Sequence, residues 1–177
     1  KYVQTKQELD KFLESLITPL IQNKGVKVLD AYCGIGHIIN WLRQISPQST
    51  FVGVDITPYL IDEAKRLCAS DNIEFRIGDV SKLHELYEPG HFDISINWKT
   101  VSWLPSYEPV VSSLVRVTRQ HIFLSSLFYD GDIDLEIRVR EYQKDSGKEG
   151  FNAFYNVYSY KRFEDYCYRL GVRNVQP

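Results

Sequence analysis

The sequence predicts an α/β fold: a doubly wound, mostly parallel sheet with helices on both faces, plus an antiparallel hairpin inserted at about residues 132–158. Three observations predict it. Five short apolar runs, at 26–30, 51–55, 73–77, 92–97 and 121–128, alternate with stretches of helical period, as crossover-connected parallel strands do. The first three runs end in an acidic or glycine-bearing turn that leads into a helix start. After Asp130-Gly131 the apolar period drops to two, the pattern of a strand with one wet face.

Each element has its own justification. Thr5-x-x-Glu8 has the form of a capping box, and Leu9, Phe12, Leu13, Leu16, Ile17 and Leu20 recur at helical spacing behind it. Residues 5–22 are therefore a helix, which Gly25 can close. Val26–Asp30 is a strand, and a second helix runs from about His37 to Ile45, where Ser46-Pro47-Gln48 stops it. Phe51–Asp55 follows as a strand. Thr57-Pro58 opens a helix to about Ala69 by the rule of a hydroxyl cap followed by proline. Ile73–Ile77 is a strand with Gly78-Asp79 at its exit, then comes a short helix, Ser81–Tyr87, capped by Ser81. Phe92–Asn97 is the fourth strand, and residues 107–118 form a helix with Val110, Val111, Leu114 and Val115 inward. His121–Phe128 is nearly all apolar, as a strand covered on both faces would be. Ile133, Leu135, Ile137 and Val139 then alternate with charged residues, and Phe151–Tyr158 alternates again after a polar 143–150 turn, which makes a hairpin. Ser159–Leu170 is the last helix, ended by Gly171, and Val172 onward starts a further strand.

Composition excludes several classes. The 177 residues are 44% hydrophobic and 25% charged, which fits one globular domain over 1–177 and is too apolar for a disordered chain. No apolar run is long enough for a membrane helix. With 21 Lys and Arg against 23 Asp and Glu, the formal charge is −2, which argues against nucleic acid as a partner. Three scattered cysteines without a C-x-x-C pair argue against a disulfide framework and a structural zinc, and for a reducing, cytoplasmic setting. Four scattered histidines offer no metal-ligand spacing. The chain opens at Lys1 and contains no Met, so we expect the natural start to lie outside it.

The strand ends carry the chemistry. In open α/β sheets ligands lie beyond the carboxyl ends of the strands. The first strand ends in Asp30 and a loop with Gly34 and Gly36, where a ligand can approach the backbone and the next helix presents free N–H groups. The second ends in Asp55, suited to a ribose diol. The third ends in Gly78-Asp79-Val80, suited to the amino edge of adenine. A dinucleotide loop would want a third small residue, but Ile39 stands there, and Asp30 would repel a pyrophosphate while suiting an ammonium and a sulfonium. S-adenosylmethionine is the adenosine ligand that fits, with S-adenosylhomocysteine as its product.

Val28-Leu29-Asp30-Ala31-Tyr32-Cys33-Gly34-Ile35-Gly36 resembles motif I of the class I (Rossmann-like) S-adenosylmethionine-dependent methyltransferases, and Asp55, Gly78-Asp79 and Phe92-Asp93 fall where the later motifs stand. The resemblance covers roughly residues 5–130 and, weakly, the last helix. It implies the class I methyltransferase fold, with Asp30, Gly34 and Gly36 holding the methionine part, Asp55 the ribose hydroxyls, Ile56 one face of the adenine and Asp79 with Val80 its edge, and with Ala31, Tyr32, Cys33 and Gly78 as further cofactor contacts. Asn97 and Trp98 would then flank the transferable methyl. Tyr32 stands where the family usually has Gly, and Arg119-Gln120 replaces a usual glycine pair. The resemblance also implies C-terminal strands outside the residues given.

Blander readings stand beside these. Gly34 and Gly36 alone would mark a tight turn, and Asp55 alone a residue next to a helix cap. Tyr32 either stacks on the cofactor or packs under the loop. Trp98 and Trp103 form a wall attractive to a sulfonium, or are ordinary buried aromatics. Cys33 and Cys68 read as inert core residues. No motif selects a base: His37, Asn97, Lys99, Asp130 and Tyr155 are candidate catalytic residues, with His37 equally a cofactor contact or plain surface. The hairpin, with Arg138, Arg140, Tyr155 and Tyr158, is a candidate acceptor wall, homodimer contact or sheet edge.

The expected function is methyl transfer to the O or N of a small-molecule acceptor by in-line displacement. The first rival is an RNA methyltransferase, since Asp30–Gly36 also resembles the uridine-5 enzymes. Against it, Asn97-Trp98-Lys99-Thr100 carries neither their proline motif nor an Asn-Pro-Pro-aromatic run. The second rival is a non-catalytic domain that binds a partner, and a dehydrogenase is third.

Overall fold

The computed structural model describes residues 7–177. The first helix, α1, spans Glu8–Ile21. The expected Thr5 cap lies outside the described residues; within them the helix starts on Gln7, whose N–H donates to Asp10 Oδ2 at 3.0 Å. Leu13, Ile17 and Ile21, one helical turn apart, are fully buried, whereas Leu9, Phe12 and Leu16 of the expected inward set face solvent. The helix ends where Asn23 turns left-handed (φ 58°), so Asn23 does the work expected of Gly25.

Five parallel strands form the main sheet: β1 (Lys27–Ala31), β2 (Thr50–Asp55), β3 (Ile73–Ile77), β4 (Phe92–Asn97) and β5 (Thr118–Leu124), in the order β3-β2-β1-β4-β5. Helices α2 (His37–Ile45) and α3 (Pro58–Cys68) join α1 on one face, where Leu13, Ile17, Ile39, Leu42 and Ile61 share a core with Val28, Phe51 and Ile94. Helix α4 (Glu108–Val117) and a 3₁₀ helix, Val80–Glu85, cover the other face through Val80, Leu83, Val110, Leu114 and Val117. Helices on both faces of a parallel sheet are the doubly wound fold that the alternating runs predict. No helix among the described residues is long and apolar enough to cross a membrane.

Three expectations need correction here. The 3₁₀ helix is capped by Asp79, which accepts Ser81 N–H at 2.9 Å, rather than by Ser81. Thr57 starts α3 without a side-chain cap bond; its N–H instead donates to Asp55 Oδ1 at 2.9 Å. And β5 is an edge strand whose cover is partial, exposed over Arg119, Gln120 and His121 and half-buried where Ile122 and Phe123 meet the cores of the two faces, not a buried strand. Its apolar residues read as buried because an unbroken apolar run does not say how many faces are covered.

Beyond β5 the chain forms two small sheets. Strands β7 (Arg138–Tyr142) and β8 (Glu149–Phe154) pair antiparallel as the predicted hairpin, while β6 (Phe128–Tyr129) and β9 (Tyr158–Ser159) pair parallel at its base. Buried Asn156 anchors this unit. Its Oδ1 accepts Ile137 N–H at 3.1 Å, its Nδ2 donates to Leu104 O at 3.0 Å, and its own N–H donates to Ser102 O at 2.8 Å. One side chain thus ties the hairpin to the segment leaving β4. The last helix, α5 (Tyr160–Arg169), is capped by Ser159 Oγ accepting Arg162 N–H at 3.3 Å. Residues 172–177 form no strand, contrary to expectation.

Candidate functional site

The strand order reverses between β1 and β4, and the loop leaving β1 lies at that switch point, where open α/β sheets take ligands. Three residues of this loop adopt left-handed backbone: Tyr32 (φ 64°), Gly34 (φ 53°) and Gly36 (φ 80°). Gly36 begins α2, and a Cβ there would come within 2.8 Å of Phe75 Cζ. A Cβ on Gly34 would meet nothing within 4 Å, so Gly34 leaves room for a ligand rather than for packing. Tyr32 keeps the turn without glycine's freedom, held by its N–H to Val54 O at 2.8 Å. Its side chain packs against the β2 side of the core and also lines the cavity.

Acidic groups close this end of the sheet. Asp55 is almost fully buried; its Oδ2 accepts Gly34 N–H at 3.0 Å and its Oδ1 accepts Thr57 N–H. Each oxygen retains a second lone pair. Asp79 holds Ser81 through its N–H and its hydroxyl, and the Ser81 bonds outweigh burial and keep its carboxyl below the usual range. Asp30 is different. It is buried, and its Oδ2 has no hydrogen-bond partner among the described residues. Burial, helped by the nearby Asp55 charge, pushes its carboxyl up to about 7. Burial also raises the Tyr32 hydroxyl to about 12, with Asp79 and Asp55 adding to the effect. The same factor holds Cys33 protonated, with Asp30 and Asp55 reinforcing it.

A cavity of about 370 Å³ opens over the loop, lined in part by Asp30, Tyr32, Cys33, Gly34, His37, Trp98 and Lys99. Two groups from α1, Gln7 and Asp10, close its other side. Asp10 is buried and sits between two basic side chains: Lys99 Nζ donates to its Oδ1 at 2.6 Å, and His37 Nε2 lies 3.6 Å from its Oδ2. Burial works to raise the Asp10 carboxyl, but Lys99, the Gln7 N–H and His37 together hold it below the usual range. Lys99 is itself left-handed (φ 64°). Sequence reasoning did not single out Asp10 or Gln7; a carboxylate on the inward face of an otherwise polar first turn was the available signal.

The remaining candidates are placed as follows. Ala31, Val80 and Asn97 are fully buried beneath the site, and Asn97 Nδ2 donates to Ala31 O at 3.3 Å while its Oδ1 has no partner among the described residues. Ile56 is exposed at the end of β2, and Gly78 lies at the end of β3 with its N–H on Asp55 O. Asp130 lines a second, larger cavity of about 1340 Å³ beside β5, and Tyr155 packs edge-on against Trp103 at 5.1 Å between ring centres. Neither Asp130 nor Tyr155 lines the cavity at the loop. Trp98 lines both cavities, whereas Trp103 is half exposed on Tyr155, so no paired tryptophan wall forms over the loop.

The donor set fits S-adenosylmethionine: Asp30 Oδ2 and Asn97 Oδ1 are acceptors that want a donor or a positive charge, beside a glycine that leaves space. Residues 22–149 match the model of a family described as "Methyltransferase domain". The chain belongs to the S-adenosylmethionine-dependent class I methyltransferases. Among curated relatives of this methyltransferase chain is malonyl-[acyl-carrier protein] O-methyltransferase of Anoxybacillus flavithermus, 28% identical over 89 residues, covering 50% of this chain and 33% of that protein. Another is 18S rRNA (guanine-N(7))-methyltransferase of Bos taurus, 32% identical over 136 residues, covering 72% of this chain and 45% of that one. The chain thus spans between a third and a half of these two relatives. The solved structure of a putative sarcosine dimethylglycine methyltransferase from Galdieria sulphuraria superposes with a TM-score of 0.63 at 16% identity, over 92% of this methyltransferase chain and 60% of that one, a likeness of fold.

Proposed function

We propose that this chain is a single methyltransferase domain that moves a methyl group from S-adenosylmethionine to the oxygen or nitrogen of a small-molecule acceptor. The observation that carries the reading is Asp30: a buried carboxylate with an unpartnered oxygen, lining a cavity at the switch point of the sheet. A proton or a cation must answer that oxygen, because an unpaired charge in so dry a place is costly.

When bound, the cofactor supplies a methyl group on a positive sulfur, ready for in-line displacement. The chain's part is to bind, orient and keep water out, for which well-aligned reactions gain roughly 7–11 kcal/mol. Asp30 would answer the positive end. Asp55, its carboxylate steadied by Gly34 and Thr57, would take the ribose hydroxyls. Ile56 would cover one adenine face, and Asp79 with Val80 would meet its edge. His37, whose Nδ1 is buried without a partner among the described residues, would take the proton of an acceptor hydroxyl. Asp10 steadies that ring from its other nitrogen.

Calorimetric titration with S-adenosylmethionine and S-adenosylhomocysteine tests cofactor binding: heat of binding is expected, and silence for both ends the reading. Transfer of labelled methyl to a metabolite pool tests the acceptor class. A second reading, RNA as the acceptor, is favoured by the rRNA relative and by the exposed Arg138, Arg140, Lys144 and Lys148 of the hairpin. Label appearing in total RNA and not in metabolites would decide for it.

A further inference from the structure

We propose that the apolar face of the hairpin, centred on Trp103 and Tyr155, receives the body of the methyl acceptor, and that this body is uncharged and carries a flat ring. The inference rests on the methyltransferase reading and narrows it to a chemical class of acceptor, which no motif carries.

Register sorts the hairpin's residues onto two faces. Val139 pairs with Ala153, the Tyr155 N–H donates to Ile137 O at 2.8 Å, and Leu135 bridges Val157, so these side chains share one face. Glu136, Arg138, Arg140 and Asn152 alternate onto the other face and are exposed. Such a division normally sets the apolar side against the body of the protein. Here only part of it is covered. Ala153 is buried, whereas Leu135, Ile137, Val139 and Tyr155 stay 39–45% exposed, and Trp103, in contact with Tyr155, 48%. Uncovered apolar surface of this kind, with Trp and Tyr in it, marks a place where something binds.

The face is also held firmly and in a telling place. Trp103 ends the 3₁₀ turn Val101–Trp103, whose other two residues are buried, and Tyr155 precedes the buried Asn156. The Asn156 N–H donates to Ser102 O at 2.8 Å, so the neighbours of the two rings are clamped to each other. The rings meet edge-on at 64°, an arrangement that leaves a ring face open to a further ring. The Trp103 N–H closes its turn on Thr100 O, which keeps the Cα atoms of Trp103 and Trp98 within about 14 Å of each other. Trp98 lines the loop cavity. An elongated small molecule covers that distance, its ring on Trp103 and its nucleophilic oxygen or nitrogen at Trp98.

The same face says what the acceptor's body lacks. None of its residues is acidic or basic, and Arg138 and Arg140 alternate away from Trp103. A charged body would give up its hydration here and gain no partner, and a phosphate backbone would be drawn to the opposite face. A phenol or a heteroaromatic amine combines the ring and the nucleophile in one neutral molecule. The proposal adds no chemical step to the transfer already described.

The test uses 2-naphthol as a neutral flat probe on the whole chain, with S-adenosylhomocysteine present, read by the N–H resonances of isotopically labelled protein. The Trp103 indole N–H and the amides of residues 135–139 and 153–157 should shift first. Decahydro-2-naphthol keeps the carbon skeleton without the flat ring, and 6-hydroxynaphthalene-2-sulfonate adds a charge; each should bind about 5-fold more weakly or worse. Trp103→Ala should weaken 2-naphthol by about 5-fold, Trp103→Phe should regain part of the loss, and calorimetry should find S-adenosylhomocysteine within about 2-fold of wild type in both. Should Trp103→Ala fail to fold, Ile137→Asp, at an exposed position, places a charge on the face and should weaken 2-naphthol likewise. Shifts centred on β5 and α5, equal binding of the flat and saturated probes, or a stronger response of the same resonances to an oligouridylate would each overturn the proposal. In those cases bound S-adenosylhomocysteine leaves the methyltransferase reading standing. Wild type that fails to bind S-adenosylhomocysteine ends that reading and, with it, the acceptor role of the face.

Discussion

Replacing Asp30 by Asn should invert the usual penalty of a core substitution above neutral pH. In the folded chain the Asp30 carboxyl holds its proton up to about pH 7, against an ordinary value of 3.8 once unfolded. A group raised in this way contributes stability that is complete below pH 4 and is lost as pH rises towards 7, because folding then requires either proton uptake or a buried charge. The difference between the two values, at 1.36 kcal/mol for each pH unit, is worth roughly 4 kcal/mol at pH 8. Asn is nearly isosteric and never charges. Urea unfolding of wild type and Asp30→Asn should therefore agree within about 1 kcal/mol at pH 4.5 and diverge by several kcal/mol at pH 8, with the variant more stable. Since the Asp55 charge contributes to the shift, Asp55→Asn should flatten the wild-type slope as well. Parallel pH curves for wild type and Asp30→Asn would refute the reasoning, because Asp30 would then be ionised at little cost. Asp10 bends the curve the other way: its carboxyl is held low, so its contribution is present above the ordinary range and is lost as acid protonates it, below the window in which Asp30 acts.

The two loop glycines should separate binding from stability. Gly36→Ala forces a left-handed alanine into Phe75 and should cost about 2–4 kcal/mol in chemical denaturation, whereas Gly34→Ala pays about 1–2 kcal/mol for the backbone alone yet abolishes measurable S-adenosylhomocysteine binding by filling the open space. Asn156→Ala leaves the Ile137 N–H without its partner and the Leu104 carbonyl with only the long bond from the Tyr158 hydroxyl, and should cost about 2–3 kcal/mol while speeding amide exchange across residues 132–158 more than in the main sheet. The three buried thiols, Cys33, Cys68 and Cys167, are all pushed up by burial, Cys167 to about 11; they should resist a disulfide reagent at pH 8 until denaturant is added.

Local signals made much of the fold legible. Helix α2 and strands β3 and β4 fall where period and punctuation place them, because Gly36, Ser46-Pro47 and Gly78 are breakers whose backbone consequences do not depend on distant partners. Ends set by competition were misread. Asp79 outcompetes Ser81 as a cap because its carboxylate accepts both the N–H and the hydroxyl of Ser81, and Asn23 turns left-handed before Gly25 is reached. The acidic strand ends were legible as a group, since Asp30 and Asp55 stand within the last two residues of β1 and β2 and Asp79 two residues past β3. What no local pattern contains is contact at long range. Asp10 looks like one more polar residue of a first turn until Lys99 folds back to it, and Asp130 looks like a strand-exit acid until the chain carries it to the other cavity. Exposure of β5 was hidden for the same reason: hydrophobicity reports affinity for cover, while sheet order decides whether cover exists.

The outer flank of β5 has a consequence for handling these 177 residues by themselves. A peptide ladder satisfied on one side only leaves a comb of amides and carbonyls from Thr118 to Leu124 ready to zip onto any extended segment that drifts alongside. Arg119 and His121 put positive or polar heads at the start of that comb, whereas Ile122, Phe123 and Leu124, half-buried against the neighbouring cores, put none along its far half. Concentrated samples should thicken through this seam first, and a lysine in place of the exposed His121 would be the simplest way to keep them clear.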